Sequence, residues 1–171
     1  MTEKYKENDV IIREARKEDM KAVANMIQEL ADFEKMPDGP KLSIKDLEHD
    51  GFVQQPPAFR CKVAEVQSDS NAVVGYAIYF PTYSTWEGPA MMLEDLCVRA
   101  DQRRRGVGSK LFHAVAKEAW SSGCRRLDFH VLEWNPARAF YESAGADNLT
   151  ASEQWCYYRL AGDRLQTFAR Q

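Results

Sequence analysis

Leu93-Glu94-Asp95-Leu96-Cys97-Val98-Arg99-Ala100-Asp101-Gln102-Arg103-Arg104-Arg105-Gly106-Val107-Gly108-Ser109 is the stretch on which the fold turns. Residues 91–98 read as a strand, and residues 109–121 read as a helix with Leu111, Val115 and Ala119 on its inner face. Between them lies R-x-x-G-x-G, residues 103–108. Glycines at 106 and 108 let the backbone come close to a ligand, and the N–H groups that open the helix then point at phosphate oxygens from its positive end. A diphosphate is the natural occupant. The plain alternative is that the glycines serve a tight turn and the arginines a solvated surface. Gly108-Ser109-Lys110 lacks the upstream glycine and the order that a nucleotide P-loop demands. Arg103, Arg104 and Arg105 likewise lack the extended basic face of a nucleic-acid binder.

Upstream of this stretch, Val10, Ile11 and Ile12 suggest a strand, and Met20, Val23, Ile27 and Leu30 recur at helical spacing. Ser43-Ile44-Lys45-Asp46 has the form of a capping box for a second helix, with Gly51 placed to end it. Pro56 and Pro57 mark a loop. Residues 60–66 and 73–80 form β-rich runs around the turn residues 67–71, as in an antiparallel hairpin. Downstream, residues 127–131 return to strand character, residues 136–143 read as a helix with proline in its first turn, and residues 155–160 are expected to form a last strand. The order β-α-α-β-β-β-α-β-α-β predicts an α/β (α+β) protein with a mixed, mostly antiparallel central sheet flanked by helices.

A chain of 171 residues suits a single domain, expected over residues 1–171 with an ordered core from about residue 10. Charged residues at 29% and apolar ones at 44% are ordinary for a soluble globular protein. A net charge of −3 argues against a protein that holds nucleic acid or an anionic membrane by its overall field. Cys61, Cys97, Cys124 and Cys156 are widely spaced, with no C-x-x-C pair and no histidine at ligand spacing, so reduced thiols and no metal are expected. Residues 1–8 are polar and lack the apolar core of a signal peptide, and no apolar run reaches membrane-spanning length. A cytoplasmic location is expected.

Residues 103–108, with Asn135 and Phe140-Tyr141 beyond them, resemble the acetyl-CoA pyrophosphate loop and following helix of the GNAT acetyltransferase superfamily. The likeness narrows to the diamine acetyltransferase family through Leu30-Ala31-Asp32-Phe33-Glu34, Asp50-Gly51-Phe52, Tyr83-Ser84-Thr85-Trp86, Leu93-Glu94-Asp95, Glu133-Trp134-Asn135 and Glu153-Gln154-Trp155. Phe33-Glu34-Lys35 and Ser84-Thr85-Trp86 read more like its thialysine-acetylating branch than its spermidine/spermine branch. In one respect the chain departs from the family pattern: it is one residue short between Asn135 and Tyr141, so the start of that helix is expected to be rebuilt locally.

The resemblance implies acetyl-CoA as cosubstrate and a small cationic amine as acceptor, of thialysine or diamine type, with spermidine or spermine as the alternative. It places the coenzyme against Leu96, Cys97, Val98, Arg103, Arg104, Arg105, Gly106, Val107, Gly108, Ser109, Asn135, Pro136 and Tyr141. The acceptor would meet Phe33, Glu34, Trp86, Glu94, Asp95, Asp128, Phe129, His130, Glu153 and Trp155. An alkylammonium with a pKa of about 10.4 must lose a proton before it can attack a thioester. Glu94 is the expected base, directly or through water, and Tyr141 the acid for the departing thiolate. Cys97 has no partner histidine in sight, so direct transfer in a ternary complex is expected. A homodimer is implied by the resemblance alone. A coenzyme-binding regulatory module without turnover, and acetylation of protein lysines or N-termini, are the competing readings.

Overall fold

The computed structural model describes residues 9–170; the polar stretch 1–8 and its reading lie outside the described residues. The chain divides into two compact units, one ending at His130 and the other beginning at Val131.

The first unit is built on a five-stranded sheet in the order β1-β2-β3-β4-β5. Its strands are β1 (Val10–Glu14), β2 (Arg60–Val66), β3 (Ala72–Ser84), β4 (Gly88–Val98) and β5 (Leu127–Phe129). Neighbours pair antiparallel from β1 through β4, and β5 joins β4 in parallel. This is the mixed, mostly antiparallel sheet that the sequence predicts. Helices α1 (Met20–Phe33) and α2 (Ile44–Phe52) precede β2, and α3 (Val107–Ser121) connects β4 to β5.

Each sheet face carries its own core. On one, Val107, Leu111, Val115 and Ala119 of α3 pack on Ala64, Val66, Ala77, Tyr79, Met91, Leu93 and Val98. On the other, Met20, Val23 and Met26 of α1 and Leu47 of α2 pack on Cys61, Val63, Tyr76, Ile78 and Cys97. The three-to-four-residue spacing of the helical set and the strand alternation together dictate this sandwich. Gly75 allows the close fit, because a Cβ there would lie 3.0 Å from the Cys97 carbonyl and 3.1 Å from Leu111 Cδ1.

Two charged clusters fasten the strands. Arg13 bridges Asp19 at 2.7 Å and Glu65 at 2.6 Å. Glu118 of α3 receives Tyr79 Oη at 2.6 Å, Lys62 Nζ at 2.7 Å and Arg60 Nη1 at 2.9 Å. Such pairing removes the penalty of burying Lys62 on an apolar face.

The capping box at Ser43 forms as expected: Ser43 Oγ accepts from Asp46 N–H and the Asp46 carboxylate accepts from Ser43 N–H. Gly51, expected to end that helix, instead lies inside it. A Cβ at Gly51 would come within 2.7 Å of the Phe59 ring, so the position serves close approach and not termination.

The second unit contains α4 (Ala137–Ser143), α5 (Leu149–Glu153) and α6 (Gly162–Ala169). The last two are absent from the sequence-based expectation. The strand expected at residues 155–160 does not form. A strand exists only by exchanging backbone hydrogen bonds with a neighbour, and among the described residues of this unit there is no strand to pair with. The parallel edge strand is also shorter than expected, ending at Phe129 and not at residue 131.

Among the described residues no helix is long and apolar enough to cross a membrane, and no group of three potential ligands is placed to hold a metal ion. The four cysteines are free thiols. Leu111 is fully buried between α3 and the sheet. Leu111→Ala should therefore cost about 2–5 kcal/mol of stability, read in urea unfolding as a lower midpoint with an unchanged slope.

Candidate active site

The register of β3 against β4 sets the geometry. Ile78 pairs with Asp95 and Tyr79 with Leu93, so Glu94 is the extra residue of a β-bulge. Before it, Met91 and Leu93 point into the α3 core; after it, Leu96 and Val98 do so, while Cys97 joins the α1 core. The bulge thus flips the phase of the strand and turns Asp95 toward the face that carries α1. Pairing with β5 reaches only Leu93, so Leu96, Cys97 and Val98 have no partner strand on that edge among the described residues. An extended chain could add itself there as a strand would.

Asp95 accepts a hydrogen bond from the buried Tyr76 hydroxyl at 3.2 Å. Burial pushes its carboxyl up to about 6, the Tyr76 bond opposes this, and the charges of Glu94 and Glu34 add to the rise. Burial also raises the Glu34 carboxyl. Asp95 therefore feels the charges of both Glu94 and Glu34 where the end of α1 meets the bulge, with Glu94 exposed and the other two part-buried. Carboxylates whose charges oppose one another in this way favour a cation among them.

The loop after β4 runs through a 3-10 turn, Ala100–Gln102, into the N-terminus of α3. Arg104 and Gly106 both adopt left-handed backbone, with φ of 60° and 74°. The first backbone bond at this helix end is Lys110 N–H to Gly106 C=O at 3.0 Å, and Gly106 supplies no capping side chain. The amides of Val107, Gly108 and Ser109 precede that bond and mark the positive end of the helix. Gly108 sits against Leu96 and Val98, where a Cβ would make ordinary contacts at 3.8 Å. Two arginines brace the loop: Arg105 Nη1 donates to Gln102 Oε1 at 2.6 Å, and Arg103 Nε donates to the Val98 carbonyl at 2.9 Å. Arg104 is exposed. This donor set fits the diphosphate of a coenzyme A molecule.

Cys97 is buried and its thiol is pushed up to about 11, chiefly by that burial. An activated nucleophile needs the opposite shift.

The remaining acceptor candidates of this unit lie apart in character. Trp86 is exposed in the turn between β3 and β4, Asp128 pairs with Arg126 at 2.8 Å, Phe129 stacks edge-on to Phe112 at 5.6 Å, and His130 is exposed. In the second unit Asn135 caps α4, its Oδ1 accepting from Ala137 N–H at 2.9 Å, with Pro136 at the first turn. Tyr141 is half-buried, its ring edge-on to Phe140 with centroids 4.9 Å apart. The Glu153 carboxylate accepts Trp155 Nε1–H at 2.6 Å.

The raised Asp95 carboxyl has a consequence for stability. A folded pKa above the reference value of 3.8 means that ionisation opposes folding, so the penalty is absent in acid and complete above about pH 6. Asp95→Asn keeps an acceptor for Tyr76 and removes the charge. Its stability relative to the parent should rise by about 2–3 kcal/mol between about pH 4 and about pH 8, measured by denaturant unfolding. A difference that stays flat with pH would contradict the burial argument.

The Acetyltransferase (GNAT) family pattern matches residues 23–146. A thialysine N-epsilon-acetyltransferase of Bos taurus is 39% identical over 166 residues, covering 94% of this chain and 97% of that protein. Its Mus musculus counterpart is 40% identical over 164 residues, covering 92% and 96%. A Homo sapiens spermidine/spermine N(1)-acetyltransferase-like protein 1 is 33% identical over 163 residues, 92% of this chain but 23% of that protein. Among solved structures, an integron cassette protein from the mobile metagenome of V. cholerae superposes with a TM-score of 0.75 at 25% identity, covering 95% of this chain and 99% of that one. An aminoglycoside acetyltransferase from a soil metagenomic sample, at TM-score 0.71 and 20% identity over 91% of this chain and 98% of that one, shares the fold. With the family pattern spanning most of its length and relatives near two-fifths identical end to end, this chain belongs to the GNAT acetyltransferase family and is an N-acetyltransferase.

Proposed function

We propose that this acetyltransferase works as a single catalytic domain that acetylates a small cationic amine, of thialysine or diamine type, by direct attack within a ternary complex. The observation that carries the acceptor class is the cluster of Glu34, Glu94 and Asp95 on the face where the bulge meets α1. Thialysine acetyltransferases of cattle and mouse, similar over nearly the whole chain, favour the thialysine type. The 33% identity to a spermidine/spermine acetyltransferase-like protein supports polyamines as the second reading.

Acetyl-CoA supplies the acetyl group as a thioester. Arg103, Arg104, Arg105 and the amides of Gly106, Val107, Gly108 and Ser109 would hold its diphosphate. The backbone of Leu96, Cys97 and Val98 would align the pantetheine arm, and the family resemblance assigns Asn135 and Pro136 to the same coenzyme. Asp95 and Glu34 bind and orient the acceptor cation beside Phe33, and Trp86, Asp128, Phe129, His130, Glu153 and Trp155 belong to the same acceptor assignment. Glu94, exposed at the bulge, takes the ammonium proton directly or through water. Lowering the amine's pKa in this site, or relaying the proton to solvent, bridges the gap between an ammonium near 10.4 and a carboxylate near 4.3. Tyr141 returns a proton to the leaving sulfur; a phenol near 10 facing a thiol near 8.5 needs only modest assistance. A cytoplasmic homodimer completes the reading, and light scattering that finds a monomer removes the dimer.

Purified protein with acetyl-CoA should acetylate thialysine with higher kcat/KM than spermidine, and either with higher kcat/KM than a lysine-containing peptide. A dominant peptide preference sinks the small-amine reading; coenzyme binding with no turnover on any of these leaves only a regulatory module. Glu94→Gln and Tyr141→Phe should each lower kcat by about 10²-fold or more while coenzyme affinity holds. Either variant at full turnover removes that residue's role. Since Asp95 must be ionised to hold a cation, kcat/KM for the amine should rise with pH through about 6, and Asp95→Asn should abolish that limb and raise KM.

A further inference from the structure

Arg103 does more in this structure than face an anion. Its Nε–H is bonded to the carbonyl of Val98, the last residue of β4, and its guanidinium carbon stands 5.4 Å from the centroid of the Phe33 ring. A guanidinium carries five donors in a rigid plane, so one edge can be tied to the strand end while the face covers an aromatic ring and other N–H groups serve a phosphate. Phe33 is the last residue of α1 and is 37% exposed, so its ring lies within reach of solvent and of the loop guanidinium. The chain just after it closes the helix with terminal-turn bonds: Glu34 N–H to the Leu30 carbonyl, Lys35 N–H to Asp32 and Met36 N–H to Ala31, with Lys35 in left-handed backbone. Glu34 is one of the three carboxylates whose charges meet at Asp95.

We infer that Arg103 is a positioning residue that couples the two substrate sites: by lying across Phe33 it ties the coenzyme loop to the end of α1, so that filling the loop orders Phe33 and Glu34 for the acceptor amine. The inference rests on the reading above of residues 103–109 as the diphosphate loop. Coupling of this kind is reciprocal, so each ligand strengthens the other by the same factor. Lysine at 103 keeps a positive charge for the phosphates but has neither the Nε–H that reaches Val98 nor a planar face for the ring. Leucine at 33 keeps apolar volume and loses the ring.

Two measurements test it. In hydrogen exchange on the whole protein, saturating coenzyme A alone should slow exchange at least threefold in a peptide covering residues 33–36. In Arg103→Lys, at coenzyme concentrations raised to restore saturation, and in Phe33→Leu, that slowing should vanish while slowing at residues 106–110 persists. In steady-state kinetics with thialysine and spermidine at saturating acetyl-CoA, Arg103→Lys should raise the KM of the amine at least threefold, as should Phe33→Leu, and the double variant should be no worse than the poorer single one. Coenzyme bound at residues 106–110 with no slowing at 33–36 in the parent overturns the coupling while leaving the proposed function intact. So do additive KM effects, or an Arg103→Lys protein changed only in its KM for acetyl-CoA. A parent protein that binds no coenzyme A overturns the functional reading and the coupling with it, and a parent that turns over neither amine yet shows the slowing at 33–36 overturns only the acceptor class.

Discussion

One extra residue in β4 governs the rest of this structure. Because strand side chains alternate strictly between faces, inserting Glu94 between the pairs Tyr79/Leu93 and Ile78/Asp95 reverses every later side chain of the strand. Without that insertion Asp95 and Cys97 would continue the Met91 and Leu93 row into the α3 core, where a carboxylate has no place. With it, the acid sits beside Tyr76 and within electrostatic reach of Glu34, and Leu96 and Val98 close the α3 core up to the start of the loop. The bulge also lies next to the point where parallel pairing with β5 stops, at Leu93. A change of phase in one strand thereby separates the region that stores apolar burial from the region that handles charge.

The sheet and its helices were legible because most elements carry their period openly. Met20, Val23 and the later apolar residues of α1, the capping box at Ser43, and the runs that became β2 and α3 each agree with one local rule. Where legibility failed, the missing information was non-local. Residues 155–160 have strand composition, but composition cannot supply a neighbour to pair with. Gly51 reads as a helix terminator until the Phe59 ring is found against it.

The anion loop was visible as a motif, and its setting between a strand and a helix was correct. Its inner bracing was not visible, since Arg103 over Phe33 and Arg105 on Gln102 are choices of rotamer that spacing does not encode. The bulge did leave a trace in the sequence: the apolar alternation Met91, Leu93 resumes one step out of phase as Leu96, Val98. The sequence makes Asp95 an acceptor contact and Glu94 the base, and only the fold shows that Asp95 is buried enough to raise its carboxyl to about 6. Burial of an acid inside a bulged strand follows from register, which a single sequence underdetermines.

The hub at Glu118 bears on how steady the anion cradle is. The first turn of α3 opens the proposed diphosphate loop, while near its opposite end this one carboxylate grips Arg60, Lys62 and Tyr79 from two adjacent strands. Together with the apolar contacts of Val107, Leu111 and Val115 along the helix, this pin helps fix the direction of its leading amides. Although burial opposes it, the bonds from Lys62, Tyr79 and Arg60 hold that carboxyl below its ordinary range. The pin is therefore secure in neutral solution and weakens as the medium becomes acid enough to protonate it, so one part of what steadies the helix is acid-labile.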